Sequence, residues 1–261
     1  MQRLADIVPQ PKRQEGAEVS PPESEVCPVC LVCADAGFVG HDVPFGHPDF
    51  GKAFPCEACQ PQRKAEQRGS LLQHSNLPGG SQHPLTFETW HPRKEAAAAF
   101  KLAKTFSEGS APHPLLTLCG PCGTGKSHLA AAIAHAWIMA DQRGMALYYQ
   151  VERLLDEIRR SFNRENGTSE DAYDLLDRVI GCSMLVLDDL GAHKATDFAT
   201  VKLDMVINER YANARDLDGR IVRWTVITTN QALSEHSPRI ASRLLEGLCI
   251  EIKAADWRRR S

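Results

Sequence analysis

The chain lacks any apolar run long enough to cross a membrane. Its apolar runs, such as Met184-Leu-Val-Leu187, are far below the ~20 residues a spanning helix needs. It also lacks the apolar core of a secretory leader, because Met1 to Pro9 intersperses Gln, Arg and Asp among its few apolar residues, so a cytoplasmic protein is expected. An excess of one charge is missing too. Lys and Arg number 30 against 33 Asp and Glu, a net charge of −3, which excludes a histone-like basic coat and confines any nucleic-acid contact to a local patch or ring. No internal repeat is present. What remains is 261 residues, 43% hydrophobic and 24% charged, enough for one full globular domain and a smaller module.

The nine cysteines are unevenly placed. Five fall in Cys27-Pro-Val-Cys30-Leu-Val-Cys33 and Cys56-Glu-Ala-Cys59, while Cys119, Cys122, Cys182 and Cys249 are scattered. Two CxxC pairs about twenty residues apart have the spacing of a four-cysteine zinc site, since each short knuckle aims two thiolates at one tetrahedral centre. Without a secretory route a disulfide framework is disfavoured. Cys27/Cys30 or Cys30/Cys33 can supply the first pair and Cys56/Cys59 the second. His41 and His47 are read as solvent-facing, and Gly37, Gly40, Gly46 and Gly51 suit the turns of a tight ribbon.

Residues 1–26 carry Pro9, Pro11, Pro21 and Pro22 among polar residues without periodicity and are expected to be disordered. The cysteine module spans 27–60. Residues 61–85 are polar, contain the breaker Pro78-Gly79-Gly80, and read as a linker. From residue 86 the pattern alternates. Helices are expected at 95–106, 126–140, 151–162, 171–180, 197–211 and 238–245, and strands at 115–119, 145–149, 184–187, 224–228 and 248–252. Such alternation builds βαβ units, hence an α/β domain with a mostly parallel five-stranded sheet in a three-layer αβα arrangement over 86–261.

Gly120-Pro121-Cys122-Gly123-Thr124-Gly125-Lys126-Ser127 fits GxxxxGK[ST] and lies between a predicted strand and a predicted helix. Glycines let successive backbone N–H groups turn toward phosphate oxygens, and the helix N-terminus adds its dipole. Lys126 supplies a point charge to the β/γ-phosphates and Ser127 a hydroxyl to Mg²⁺. The predicted strand 184–187 ends in Asp188 and Asp189. A strand parallel to the first delivers both carboxylates to the same sheet edge, Asp188 to hold Mg²⁺ and Asp189 to polarise the attacking water. Asn230, after Thr228-Thr229, is placed to orient that water or meet the γ-phosphate. Ser237 and Pro238 open a helix that sets Arg239 and Arg243 one turn apart.

These parts in this order resemble the AAA+ ATPases, in the branch of DnaC/DnaI-like helicase loaders and IstB-like transposition helpers. The resemblance is carried also by Leu187-Asp-Asp-Leu-Gly191, Lys194-Ala-Thr-Asp197, Ile207-Asn-Glu-Arg-Tyr211, Thr86-Phe-Glu-Thr-Trp90 and Arg239-Ile-Ala-Ser-Arg-Leu244, and covers about 86–260. It implies that Lys126 and Ser127 are the Walker A pair, Asp188 and Asp189 the Walker B pair, Asn230 sensor 1, Arg243 an arginine finger reaching a neighbouring subunit, and Arg258 a sensor 2 arginine. Cys33-Ala-Asp-Ala-Gly-Phe38 looks like the zinc-bearing part of some loader-like proteins, which favours Cys30/Cys33 as the first pair. Three features depart from the pattern: Cys122 within the phosphate loop, Asp189 where most members have Glu, and no helical lid after the last strand. The resemblance implies an ATP-, Mg²⁺- and Zn²⁺-dependent homo-oligomeric ATPase that loads a replicative helicase onto single-stranded DNA. Its alternatives are a helper that recruits a transposase on duplex DNA and a zinc-dependent nucleic-acid adaptor with a vestigial ATPase. DNA contact is expected to be sequence-nonspecific. Arg159, Arg160 and Arg164 read as a solvated helix end, and Arg258 to Arg260 as a solvated terminus.

Overall fold

The computed structural model describes residues 30–79, 83–91, 93–140, 144–163, 169–192, 196–254 and 256. The expected disordered segment 1–26 lies outside the described residues, as do Cys27, Arg164, Lys194 and Arg258. The chain divides into two units between Pro61 and Gln62.

In the first unit, β1 (Phe38–Gly40) and β2 (Ala53–Pro55) pair antiparallel with Val39 opposite Phe54. Its core among the described residues is Cys30, Cys33, Cys56 and Cys59, with Val39 packed against them. A unit this small buries too little apolar surface to offset its chain entropy. Leu31, Val32, Phe38, Phe45 and Phe50 in fact remain exposed. Thiols stand where an apolar core would be.

Helix α1 (Gln60–Gln73) corrects the expectation of a linker over 61–85. Leu71, Leu72, Leu77 and Leu85 pack against the core of the second unit, and the Tyr148 N–H donates to the Ser75 carbonyl at 2.8 Å. A few leucines spaced through a polar stretch carry this packing, too sparse to show as a helical period.

The second unit holds β3 (Leu115–Cys119), β4 (Ala146–Gln150), β5 (Met184–Leu190), β6 (Trp224–Thr229) and β7 (Leu248–Glu251), all parallel in the order β4-β5-β6-β3-β7. Successive side chains leave a strand on opposite faces, so each face of the sheet is apolar and each must be covered. Helices α2 (Ala97–Ser107) and α3 (Lys126–Met139) cover one face. There Phe106, Leu129, Ile133 and Trp137 pack with Leu116, Leu118 and Val186. Helices α4 (Val151–Asn163), α5 (Ser169–Gly181), α6 (Asp197–Ala212) and α7 (Pro238–Glu246) supply the second core, where Leu154, Leu176, Leu203 and Leu244 meet Leu147, Leu185 and Leu187. Ser237 caps α7, its Oγ accepting the Ile240 N–H, with Pro238 in the first turn. The three layers and five parallel strands are those expected of the alternating pattern.

One charge is sunk in this architecture. Arg210 of α6 is 1% exposed. It donates from Nε to Thr225 Oγ1 at 2.9 Å, from Nη1 to the carbonyls of Val179, Ile180 and Cys182 at 3.0, 2.8 and 2.9 Å, and from Nη2 to the Trp224 carbonyl at 2.7 Å. Its guanidinium thereby caps the C-terminal end of α5, where carbonyls lack helical partners, and ties it to β6.

Candidate nucleotide site and cysteine cluster

β3 ends at Cys119, and the chain turns through residues 120–125 into α3. The turn needs glycine at Gly125, whose φ of +95° is left-handed and whose missing Cβ leaves room for the Trp90 ring. Lys126 opens α3, is 6% exposed, and donates from Nζ to the carbonyls of Gly120 and Pro121, each at 2.8 Å. Burial holds its pKa below the usual lysine value, against the pull of Cys122, Asp189 and Asp188. A cation held by neutral carbonyls at a helix N-terminus is poised for an anion, because phosphate oxygens are stronger acceptors than the carbonyls they replace. Thr124 Oγ1 braces the loop by donating to the Pro121 carbonyl at 3.0 Å. Cys122 is exposed. The Asp256 carboxylate rests against Gly123.

The end of β5 lies on the same side of the sheet, since all the strands run parallel. Asp188 is 3% exposed and its Oδ1 accepts from Thr228 Oγ1 at 2.6 Å. The Asp189 N–H donates to the same Thr228 Oγ1 at 2.9 Å. Asn230 Nδ2 donates to Asp189 Oδ1 at 2.7 Å. Burial, and then the neighbouring Asp188 charge, raises the Asp189 pKa above the ordinary carboxylate value. Tyr148 of β4, 4% exposed, lies against both Asp188 and Ser127; burial first, and then Asp188, pushes its phenol well above the usual value and keeps it neutral.

The structure thus brings Asp188, Asp189 and Asn230 into one group hydrogen-bonded through Thr228, with Tyr148 near Asp188 and Ser127. Thr228 and Tyr148 were not singled out by sequence reasoning. The signal for Thr228 was present, because two adjacent strand residues can serve one edge only if something breaks the strand's alternation. Nothing in the sequence marks Tyr148.

Arg243 is held elsewhere. Its Nη1 donates to both carboxylate oxygens of Glu246 at 3.0 and 2.9 Å, its Nε to Asn208 Oδ1 at 3.1 Å, and its guanidinium stacks 4.5 Å from the Tyr211 ring centre. These partners belong to α6 and α7, and none of the phosphate-loop or carboxylate residues is among them. His128 Nε2 bonds the Thr86 carbonyl at 2.9 Å and its ring meets Trp90 edge-on at 5.3 Å, fastening residues 86–90 to the first turn of α3.

In the first unit, one sulfur from each of Cys30, Cys33, Cys56 and Cys59 lies within 4.8 Å of all the others. Cys30 and Cys56 sulfurs are 3.8 Å apart, and Cys33 and Cys59 sulfurs 3.6 Å. A tetrahedron of sulfurs about 2.3 Å from one zinc ion has edges of about 3.8 Å, so the donor set fits that metal. Backbone N–H groups of Cys33 and Val32 bring the Cys30 thiol down to about 7, while burial and the neighbouring thiols push Cys59 up to about 12.

A parallel βαβ sheet with a glycine loop, a buried lysine and paired strand-end carboxylates is the P-loop ATP-binding fold of AAA+ type. Residues 112–245, about half of the chain, match the family described as IstB-like ATP binding protein, and the chain belongs to that family. Replicative helicase loader DnaC of Escherichia coli (strain K12) is 27% identical over 128 residues, which are 49% of this chain and 46% of DnaC. The insertion sequence ATP-binding protein y4pL of Sinorhizobium fredii is 33% identical over 123 residues, 47% of this chain and 43% of that protein. This chain therefore spans less than half the length of either relative. The crystal structure of the DnaC helicase loader superposes with a TM-score of 0.54 at 23% identity, covering 65% of this chain and 97% of that one, and shares the fold. Among the described residues no helix is long and apolar enough to cross a membrane.

Proposed function

We propose that this protein hydrolyses ATP as an oligomeric switch and acts, like the DnaC relatives by name, as a loader of a replicative helicase on single-stranded DNA. The observation that carries the ATPase reading is the joined set Asp188, Asp189, Asn230 and Thr228 beside the Lys126 loop. Lys126 and the loop N–H groups bind the triphosphate. Ser127 and Asp188 would hold Mg²⁺, which when bound neutralises phosphate charge. Asp189 accepts a proton from the attacking water, and Asn230 fixes the carboxylate that receives it. Arg258 is assigned as the sensor 2 contact and Arg243 as the arginine offered to a neighbouring subunit.

For Arg243 to reach a partner's nucleotide it must leave Glu246, Asn208 and the Tyr211 ring, a half-exposed ion pair, a hydrogen bond and a cation–π contact each worth about 1 kcal/mol. A charge-assisted contact to phosphate can replace them, so hydrolysis can await assembly. The zinc-loaded first unit, with its exposed Phe38, Phe45 and Phe50, docks the helicase. A second reading, an ATPase helper of transposition assembling on duplex DNA, is favoured by the family match and the y4pL relative.

Turnover measured with and without single-stranded DNA, together with capture of the cognate helicase, tests the proposal. Mg²⁺-dependent hydrolysis and helicase capture that fails in Cys56→Ser/Cys59→Ser are the expected results. Filaments on duplex DNA with transposase capture decide for the helper, and no turnover under either condition decides for the adaptor with a vestigial ATPase.

A further inference from the structure

Adjacent residues of a regular strand point to opposite faces, so Asp188 and Asp189 could not both serve the phosphate edge. β5 resolves this with a bulge. From Leu187 to Leu190 it advances three residues while β6 advances two, from Ile227 to Thr229, so that both acids stand opposite Thr228 alone. The bulge leaves Asp189 in the left-handed region at φ +62°, beside the register shift between Leu187 and Leu190, with its N–H turned to a side chain. A single hydroxyl answers both needs: Thr228 Oγ1 accepts the Asp189 N–H at 2.9 Å and donates its own proton to Asp188 Oδ1 at 2.6 Å. Two residues on, Asn230 holds Asp189 Oδ1 at 2.7 Å.

We propose that Thr228 is a positioning residue for ATP hydrolysis: its hydroxyl locks the bulge that aims the metal-holding and water-polarising carboxylates at one point. The inference rests on the ATPase reading above. A merely structural Thr228 would need only its β-branched shape, since it is buried in a strand where valine packs equally well. The hydroxyl is what distinguishes the two roles.

Thr228→Val removes the hydroxyl at constant shape and Thr228→Ser keeps it. In the nucleotide-free protein, amide exchange at Asp189 is expected to quicken at least about tenfold in Thr228→Val and to remain near wild type in Thr228→Ser. With ATP, Thr228→Val is expected to lose about 10- to 100-fold in kcat with KM for ATP within about threefold, and Thr228→Ser to recover most of it. Should Thr228→Val fail to fold, Thr228→Ala takes its place. Unchanged exchange at Asp189, a kcat within twofold of wild type, or a Thr228→Ser variant as impaired as Thr228→Val overturns the inference. If the wild type itself does not turn over, the ATPase reading falls, while the exchange measurement still decides the role of Thr228 in the bulge.

Discussion

Replacing Asp189 by Asn separates chemistry from architecture. The amide has the shape of the carboxylate, and its oxygen can still accept the Asn230 Nδ2–H now bonded at 2.7 Å. Asn also tolerates the φ of +62° at this position better than most residues. Because the Asp189 pKa is raised in the fold, its ionised form is disfavoured there; the cost is present above that pKa and is relieved as pH falls through it. Asp189→Asn removes the cost, so its melting temperature at neutral pH should equal or exceed that of the wild type. Removing the charge also lessens repulsion of the triphosphate, so retention of a non-hydrolysable ATP analogue should hold or improve. Hydrolysis should fall by the worth of a general base, about 10²- to 10⁴-fold, or roughly 3–5 kcal/mol of barrier. Wild-type turnover should rise with pH through the raised Asp189 pKa, and that limb should vanish in the variant. Steady-state phosphate release, analogue binding and thermal unfolding on the same preparations provide the test. An Asp189→Asn protein that turns over within about threefold of wild type would refute the role given to this carboxylate.

Arg210→Met should destabilise the second unit by about 3–5 kcal/mol, because the carbonyls of Val179, Ile180, Cys182 and Trp224 and the Thr225 hydroxyl all lose their guanidinium donor. For a unit of this size that lowers the melting temperature by about 6–20 °C; a shift under about 2 °C would show the clamp to be dispensable. Metal removal should unfold the first unit alone. One zinc per chain is expected on thiol titration, and chelator should expose residues 30–61 to protease while ATP retention persists; an unchanged cleavage pattern would count against the cysteine core. Arg243→Ala mixed with Lys126→Ala should regain turnover that neither has alone, since each supplies what the other lacks across a subunit boundary, and the absence of recovery would place Arg243 outside the shared site.

Much of the fold was readable because the residues that build it act locally. The strand at Leu115–Cys119 has the bounds expected of it, and the Lys126 helix falls one residue short of its expected end, because a buried apolar run and an alanine-rich stretch flank a loop whose glycines have no other use. The glycine loop before the Lys126 helix and the paired acids at 188 and 189 are marked by the same local logic. Less readable was whatever depends on register or on distant partners. Helix α1 reads as linker in the sequence because its leucines gain meaning only against the core of the second unit. The bulge at Asp188 and Asp189 is invisible without the pairing to β6, and so, in consequence, are the two hydrogen bonds made by Thr228 Oγ1. Tyr148 acquires its place only when Gln150 pairs with Asp188 and sets the two strands side by side. For Arg243, sequence resemblance names a role across subunits, whereas within one chain its guanidinium is committed to Glu246 and Asn208.

Retention of labelled ATP at millimolar Mg²⁺ by the purified chain, compared with Lys126→Ala, bears most directly on all of this. Lys126 trades the Gly120 and Pro121 carbonyls for phosphate oxygens, so its loss should weaken retention by at least about tenfold, while the cysteine unit keeps its metal. Equal retention by both proteins, or none by the wild type, would contradict the assignment of residues 120–127 as the triphosphate cradle.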